Sequence, residues 1–234
     1  MSSNSVALNH KALGPIVGIG ILWCALAVAE ADEHQPDIAR GAAIAAQGVA
    51  GAAACAQCHA YNGASDGSGA FPRISAQSAY YLAKQLRDYV SGVRTNAVMT
   101  PIAKALSPSD VMDVAAYYAS VSAPFLPLKN AKPMLVQRGK QLAKVGDAAK
   151  DLQSCNNCHG PGGTGEPPAI PYLGGQYARY IAFQLTMWKR GFRKNSPDAM
   201  ADIAKRLDDQ EIAAVSAYYQ QVNASALAAT RPKE

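Results

Sequence analysis

In residues 82–90, Leu82, Leu86, Tyr89 and Val90 fall at positions i, i+4, i+7 and i+8, the spacing that lines one face of an α-helix. Ile181, Leu185 and Trp188 repeat that spacing in the second half of the chain. Farther along, Val111, Val114, Ala115 and Tyr118 make another apolar helical face, echoed by Ile212, Val215 and Tyr219. Both of these later helices carry start signals. Ser107 can cap, Pro108 suits the first turn and Asp110 closes a capping box, while Asp208 and Glu211 stand in the same places of the second copy. The tyrosine pair Tyr117-Tyr118 reads as core packing, with hydroxyls reaching polar partners. The pattern predicts an all-α chain made of two similar helical halves.

The duplication is visible residue by residue. "FPRISAQSAYYLAKQL" (71–86) matches "IPYLGGQYARYIAFQL" (170–185), pairing Pro72 with Pro171, Gln77 with Gln176, Tyr81 with Tyr180 and Gln85 with Gln184. "MTPIAKALSPSDVMDVAAYYASV" (99–121) matches "MADIAKRLDDQEIAAVSAYYQQV" (200–222), and Arg40-Gly41 matches Arg138-Gly139. The copies occupy residues 32–123 and 134–224, joined by a proline-rich linker at 124–133, with a tail at 225–234 that lacks periodicity. Residues 1–31 stand apart from both. An uncharged run from Ala12 to Ala29 follows Lys11 and is followed by EADEHQPD, the profile of a signal peptide cut after Ala29 or Ala31. The run has 18 residues, near the lower limit for a membrane span, so an uncleaved leader would serve as an N-terminal anchor. Gly14, Pro15, Gly18 and Gly20 favour cleavage. The expected location is periplasmic.

Composition adds little about fold and more about partners. With 234 residues and 49% of them hydrophobic, the chain can bury a core in each copy. The net charge of +5 is uneven: Glu30 to Pro124 holds 6 basic and 8 acidic side chains, and Lys129 to Glu234 holds 15 and 9. Lys189, Arg190, Arg193 and Lys194 cluster just before Met200, either as a solvated face or as a docking patch for an acidic partner. Nucleic acid is a poor partner for an exported chain of this kind.

Four of the five cysteines lie in two Cys-x-x-Cys-His motifs, Cys55-Cys58-His59 and Cys155-Cys158-His159. In that spacing two thiols add to the vinyl groups of one haem and the adjacent histidine becomes the proximal iron ligand. A zinc site assembled from both pairs would have to bridge the 96 residues between Cys58 and Cys155 and would leave both histidines unexplained. A thioredoxin-type pair needs a βαβ context, and no strand-like alternation surrounds either motif. A histidine census then limits the sixth ligand. Besides His59 and His159 the chain has only His10, ahead of the apolar run, and His34, so two bis-histidine irons are excluded. Of the methionines Met99, Met112, Met134, Met187 and Met200, only Met99 and Met200 hold the same place in both copies, and these are the predicted distal ligands. Met112 and Met187 read as core filler. The glycines of "GPGGTG" (160–165) read as a loop that lets the backbone approach the porphyrin.

Both CxxCH motifs, the FPRI…Q…YL…QL block, the RTNAVM…PIA segment and the twin AYY endings make the chain resemble the tandem class I cytochromes c, of the dihaem cytochrome c4 type, over residues 38–222. The resemblance implies two all-helical domains, each wrapping one covalently bound haem and packed together for internal electron exchange. It also implies that the Pro72 and Pro171 carbonyls accept hydrogen bonds from the proximal histidines. The family's usual glycine after the motif histidine is Ala60 in the first copy. With both irons capped on both sides, the expected function is electron transfer and not catalysis, between a quinol–cytochrome c reductase and a membrane-bound terminal oxidase or another reductase. Two alternatives use the same parts. A cytochrome subunit of a periplasmic dehydrogenase would co-purify with its enzyme, and a dihaem peroxidase would release one methionine.

Overall fold

The computed structural model describes residues 34–126, 128 and 131–222; the predicted leader, the tail, and Pro127, Lys129 and Asn130 of the linker lie outside them. The described residues belong to one compact unit. In the first half, α1 (Ile38–Gln47) leads into a single turn, α2 (Ala56–His59), followed by α3 (Ala79–Ser91), α4 (Met99–Ala105) and α5 (Pro108–Ser120). The second half repeats the order with α6 (Pro133–Lys144), α7 (Asn156–His159), α8 (Ala178–Lys189), α9 (Asp202–Arg206) and α10 (Asp209–Gln221). Among the described residues there are isolated bridges but no strand, and no helix is long and apolar enough to cross a membrane. The helix α6 starts at Pro133, the last residue of the predicted linker, because proline is suited to a first helical turn.

Both halves are organised by one helix crossing. A Cβ placed on Gly41 would lie 2.1 Å from the Asp113 carbonyl oxygen, and one on Gly139 would lie 2.0 Å from that of Ala214. Only a bare Cα lets α1 meet α5, and α6 meet α10, at this separation. Both predicted capping boxes are present, Ser107 with Asp110 and Asp208 with Glu211. The faces they launch are buried as expected, Val111, Val114, Ala115 and Tyr118 in the first half and Ile212, Val215 and Tyr219 in the second. Tyr117 donates to the Tyr61 carbonyl at 2.8 Å and Tyr118 to that of Ala60 at 3.3 Å, so these phenols are packed and hydrogen-bonded. In the first half alone, His34 Nε2 lies 2.6 Å from the fully buried Asp113 and ties the chain entry to α5.

The stripe predicted on α3 is only partly correct. Val90 is 46% exposed, whereas Gln85 and Asp88 are buried. This helix turns a polar edge toward the other half of the molecule, and helical periodicity of apolar residues carries no signal of such a contact. The contact is built from matched residues. Gln176 Nε2 donates to the Arg73 carbonyl (2.8 Å) while its Oε1 accepts from the Arg73 amide (2.9 Å). Reciprocally, Gln77 Oε1 accepts from the Tyr172 amide (3.3 Å), and Tyr172 Oη donates to the Ser75 carbonyl (2.9 Å). Arg73 also secures the linker, donating to the carbonyls of Ala123 and Pro124 and lying over the Phe125 ring.

Candidate cofactor sites

Each CxxCH motif forms one helical turn. The amides of Cys58 and His59 both reach the Cys55 carbonyl, at 3.2 and 2.9 Å, and those of Cys158 and His159 reach Cys155 at 3.3 and 3.0 Å. A single turn puts residues at i and i+3 on one side and swings i+4 in beside them, so two sulfurs and one imidazole border the same space. His59 and His159 are 7% and 8% exposed. Their Nδ1 atoms lie 3.1 Å from the Pro72 carbonyl and 2.8 Å from that of Pro171, the arrangement the resemblance implies. With Nδ1–H donating, Nε2 keeps its lone pair, and it takes no hydrogen bond among the described residues. Burial pushes both imidazole pKa values down and the bonds to the proline carbonyls oppose it, so the rings are held in the neutral form that ligates a metal.

The cysteines supply the test of fit. Burial pushes the Cys55 thiol up and the Cys155 thiol up to about 11. A thioether bond to a haem leaves an uncharged sulfur, which suits the buried positions of Cys55 and Cys155. No group of three or more His, Cys, Asp and Glu side chains that could hold a metal ion occurs among the described residues. The zinc alternative therefore finds no support in the placement of its donors. Both cysteine pairs with their histidines fit a covalently attached haem.

The predicted methionines stand in unlike settings in the two halves. Met99 is the first residue of α4, half-buried, with its amide donating to Asn96 Oδ1 at 2.9 Å. Met200 lies in a π-helical turn, Pro197–Ala201, and packs half-buried against the second core. The cause is in the sequence: Asn96-Ala-Val-Met99 corresponds to Asn195-Ser-Pro-Asp-Ala-Met200, and the two added residues are absorbed as a widened turn. Of the other methionines, Met112 packs against the Ala83–Val111–Ala115 cluster and Met134 is 80% exposed.

Among the glycines of 160–165, a Cβ on Gly163 would lie 2.6 Å from the Tyr219 ring and one on Gly165 would lie 2.7 Å from the Tyr172 amide, so the turn itself requires both. One prediction changes. The basic cluster is not one surface. Arg193 is 3% exposed at the contact between halves, and Lys189 donates to the Leu207 carbonyl at 2.7 Å, leaving Arg190 and Lys194 exposed. A buried guanidinium cannot contribute to a docking patch. The sequence did hold a signal for this contact, namely polar residues retained at matched positions on otherwise apolar helices: Gln77 and Gln176, Tyr81 and Tyr180, Gln85 and Gln184, Arg94 and Arg193.

Comparison with known proteins gives a consistent result. The profile of the family described as cytochrome c matches residues 38–122, and that described as cytochrome C oxidase, cbb3-type, subunit III matches residues 146–218. The chain is 40% identical over 186 residues to cytochrome c4 of Pseudomonas aeruginosa, covering 78% of this chain and 90% of that protein. It is 36% identical over 211 residues to the thiosulfate dehydrogenase electron acceptor of Stutzerimonas stutzeri, covering 89% and 94%. The crystal structure of reduced recombinant cytochrome c4 from Pseudomonas stutzeri superposes with a TM-score of 0.71 at 32% identity, over 80% of this chain and all of the other.

Proposed function

The chain belongs to the cytochrome c4 family, an electron carrier with two covalently bound c-type haems, and from that premise we propose how its own residues hold the cofactors and which partners it serves. Cys55 and Cys58 anchor the first haem and Cys155 and Cys158 the second, with His59 and His159 as proximal ligands and Met99 and Met200 as distal ones. The observation that carries this reading is the repeated helical turn that ends in a buried, neutral histidine tied to a proline carbonyl. When bound, each haem supplies a one-electron ferric/ferrous couple. The residues of the chain do the rest: Pro72 and Pro171 orient the imidazoles, the cores exclude water, and the thioether ligands favour the ferrous state.

The domain boundaries follow at 32–123 and 134–224, with the linker between them. Periplasmic location follows from the family and from the leader pattern, with residues 1–31 removed on export. The proposed route runs from a quinol-oxidising complex to a terminal oxidase or reductase. A second donor has its own support, the 36% identity over nearly the whole length of a thiosulfate dehydrogenase electron acceptor. Mixing the oxidised protein with a thiosulfate dehydrogenase and thiosulfate tests it: rapid reduction supports this donor, and reduction no faster than in the absence of the enzyme rejects it.

Ligation is tested by absorption spectroscopy of Met99→Ala and Met200→Ala. The parent should carry two haems per chain, and each variant should keep both while losing half of the ferric sulfur-to-iron charge-transfer band. A full band in either variant would remove that methionine from the iron.

A further inference from the structure

Arg94 and Arg193 meet across the contact between the halves in an antiparallel bridge, and both are buried. Side chains alternate along such a pairing, so the residues before and after each arginine point the other way, out of the molecule. The Lys194 amide donates to the Val93 carbonyl at 2.7 Å, which sets Val93 opposite Lys194 and Thr95 opposite Phe192. The exposures follow the alternation: Val93 is 38% and Phe192 58% exposed, and Thr95 and Lys194 are exposed as well. Both segments leave their helices through a glycine turn, Gly92 after α3 and Gly191 after α8, with φ angles of 81° and 75°. A Cβ added to either glycine would find nothing within 4 Å, so the two turns stand clear of the rest of the chain. Val90, three residues before Val93, adds a further exposed apolar side chain.

Charge in these segments has one sign. Residues 84–96 and 183–196 hold seven lysines and arginines and a single acid, Asp88. Asp88 is buried and taken up by Lys84 at 2.6 Å and Asn195 Nδ2 at 2.7 Å. Lys189 is bonded to the Leu207 carbonyl and lies 3.4 Å from Asp209. Arg190 and Lys194 remain, exposed and two residues to either side of Phe192, and among the described residues neither forms an ion pair. An apolar side chain exposed on its own calls for no explanation. Three of them on adjoining turns, beside free cations and with no exposed acid in either segment, match the chemistry of a membrane interface. There an apolar tip enters the acyl boundary while ammonium and guanidinium groups stay with the phosphates. A protruding tip suits a fluid surface that gives way to it, whereas a protein partner would have to present a pocket of matching shape.

We propose that the paired turns at Val93 and Phe192 form a membrane-docking tip that seats the protein on an anionic phospholipid surface, with Phe192 in the interface and Arg190 and Lys194 on the headgroup phosphates. This attachment is separate from any anchoring by residues 1–31. Two cations and one aromatic ring give weak, reversible binding, open to salt. Such binding suits a carrier that moves along a membrane between its partners; the proposal rests on the carrier reading for this use alone, and the binding itself does not depend on it.

The test is sedimentation of the full dihaem protein with sucrose-loaded vesicles, of phosphatidylethanolamine and phosphatidylglycerol in one arm and of phosphatidylcholine in the other, with bound protein read from haem absorbance. Binding should require the anionic vesicles and weaken as salt is added. Phe192→Ser should lower partitioning roughly tenfold while keeping the salt dependence. Arg190→Gln and Lys194→Gln should each lower it roughly fivefold, and the two together should remove most of the salt dependence. Arg190→Lys keeps the charge and should bind like the parent. Residues 1–31, where retained, are the same in parent and variants, so these differences isolate the tip. All three positions are exposed, and unchanged denaturation midpoints confirm that the variants fold. No binding to anionic vesicles, equal binding to phosphatidylcholine, or parent-like binding of Phe192→Ser would each overturn the proposal. Capture of an acidic redox protein at this tip, with none of the protein on vesicles, would overturn it in favour of a protein partner. Haem content and the absorption spectrum test the two-haem reading separately from the vesicles.

Discussion

Behind the motif histidine the two halves follow the same backbone path with different residues. Gly160 and Gly165 adopt φ angles of 73° and 81°, and the corresponding Ala60 and Ser65 adopt 58° and 58°. The hydrogen bonds of the turn are the same, Ser65 amide to His59 carbonyl at 2.8 Å and Gly165 amide to His159 carbonyl at 2.7 Å. Ahead of the methionines the halves differ the other way: the first enters α4 directly, capped by Asn96, and the second spends two further residues on a π-turn. The histidine side thus keeps its geometry while its residues change, and the methionine side changes geometry around one retained methionine. The difference teaches where the constraint lies. A histidine bonded to a proline carbonyl needs a fixed loop, whereas a thioether on a flexible side chain tolerates more than one backbone route.

The largest expected effect concerns what the halves share. Gly41→Ala and Gly139→Ala would each drive a Cβ to within 2.1 or 2.0 Å of a backbone oxygen, which no rotamer change relieves. Each should cost about 3 kcal/mol or more, the upper end of overpacking losses, because the whole helix must shift. Guanidinium denaturation of the two variants should give matching losses. A loss in one half alone would show that the crossings are not equivalent.

Much of this was legible in the sequence, for identifiable reasons. The capping boxes of Ser107 and Asp208 were readable because a cap is a local motif with fixed spacing. The CxxCH turns were readable because their chemistry demands the spacing. The role of the proline carbonyls came only through the resemblance, since nothing in a lone proline names its acceptor. The resemblance implies that the halves pack together, but the residues that build the contact are not legible in the sequence. Gln85 and Asp88 sit where an apolar stripe predicts exposure, and their partners are about a hundred residues away, beyond the reach of any periodicity. The repeat displayed the matched glutamines and tyrosines without saying what they touch. Val90 was misjudged for the same reason, because four positions on one face cannot report which of them the neighbouring half covers.

An intermediate effect separates the two capping boxes by pH. Burial alone would raise the Glu211 carboxyl, but Lys150, the Asp208 amide and Arg138 outweigh it and hold the pKa below the usual carboxylate range. The Ser107 hydroxyl, against burial and with help from Arg40, does the same for Asp110. For both groups the folded pKa lies below the unfolded one. Their contributions are therefore complete above the ordinary carboxylate pKa of about 4 and are lost as pH falls through the folded value. Glu211 bonds two cations, Lys150 and Arg138, each at 2.7 Å, whereas Asp110 bonds Arg40 alone. Hydrogen exchange should show α10 losing more protection than α5 between about pH 5 and pH 3. Glu211→Gln should cost about 2 kcal/mol at neutral pH and remove most of that difference. Equal acid sensitivity of the two helices would mean that the extra cation contributes nothing.

The smallest effect bears on the turn that differs most in sequence. Ala60 combines a φ of 58° with a ψ of 158°, a region that is essentially glycine's own, and residues held there cost about 1–3 kcal/mol. Replacing it with glycine removes that strain, and the added freedom of the unfolded chain takes back about 0.4–1 kcal/mol. Ala60→Gly should therefore stabilise the protein by about 1 kcal/mol. The reverse change in the second half is not its mirror image. A Cβ on Gly160 would meet Thr164 Oγ1 at 2.3 Å and Glu166 Oε1 at 3.1 Å, whereas the position corresponding to Thr164 in the first half is Ala64, too short to collide. Gly160→Ala should consequently cost more than Ala60→Gly gains, and Gly160→Ala combined with Thr164→Ala should recover part of the loss. Denaturation midpoints of the three variants check the order. If Ala60→Gly destabilises, the first turn is not strained, and the alanine there is held by contacts that a glycine forfeits.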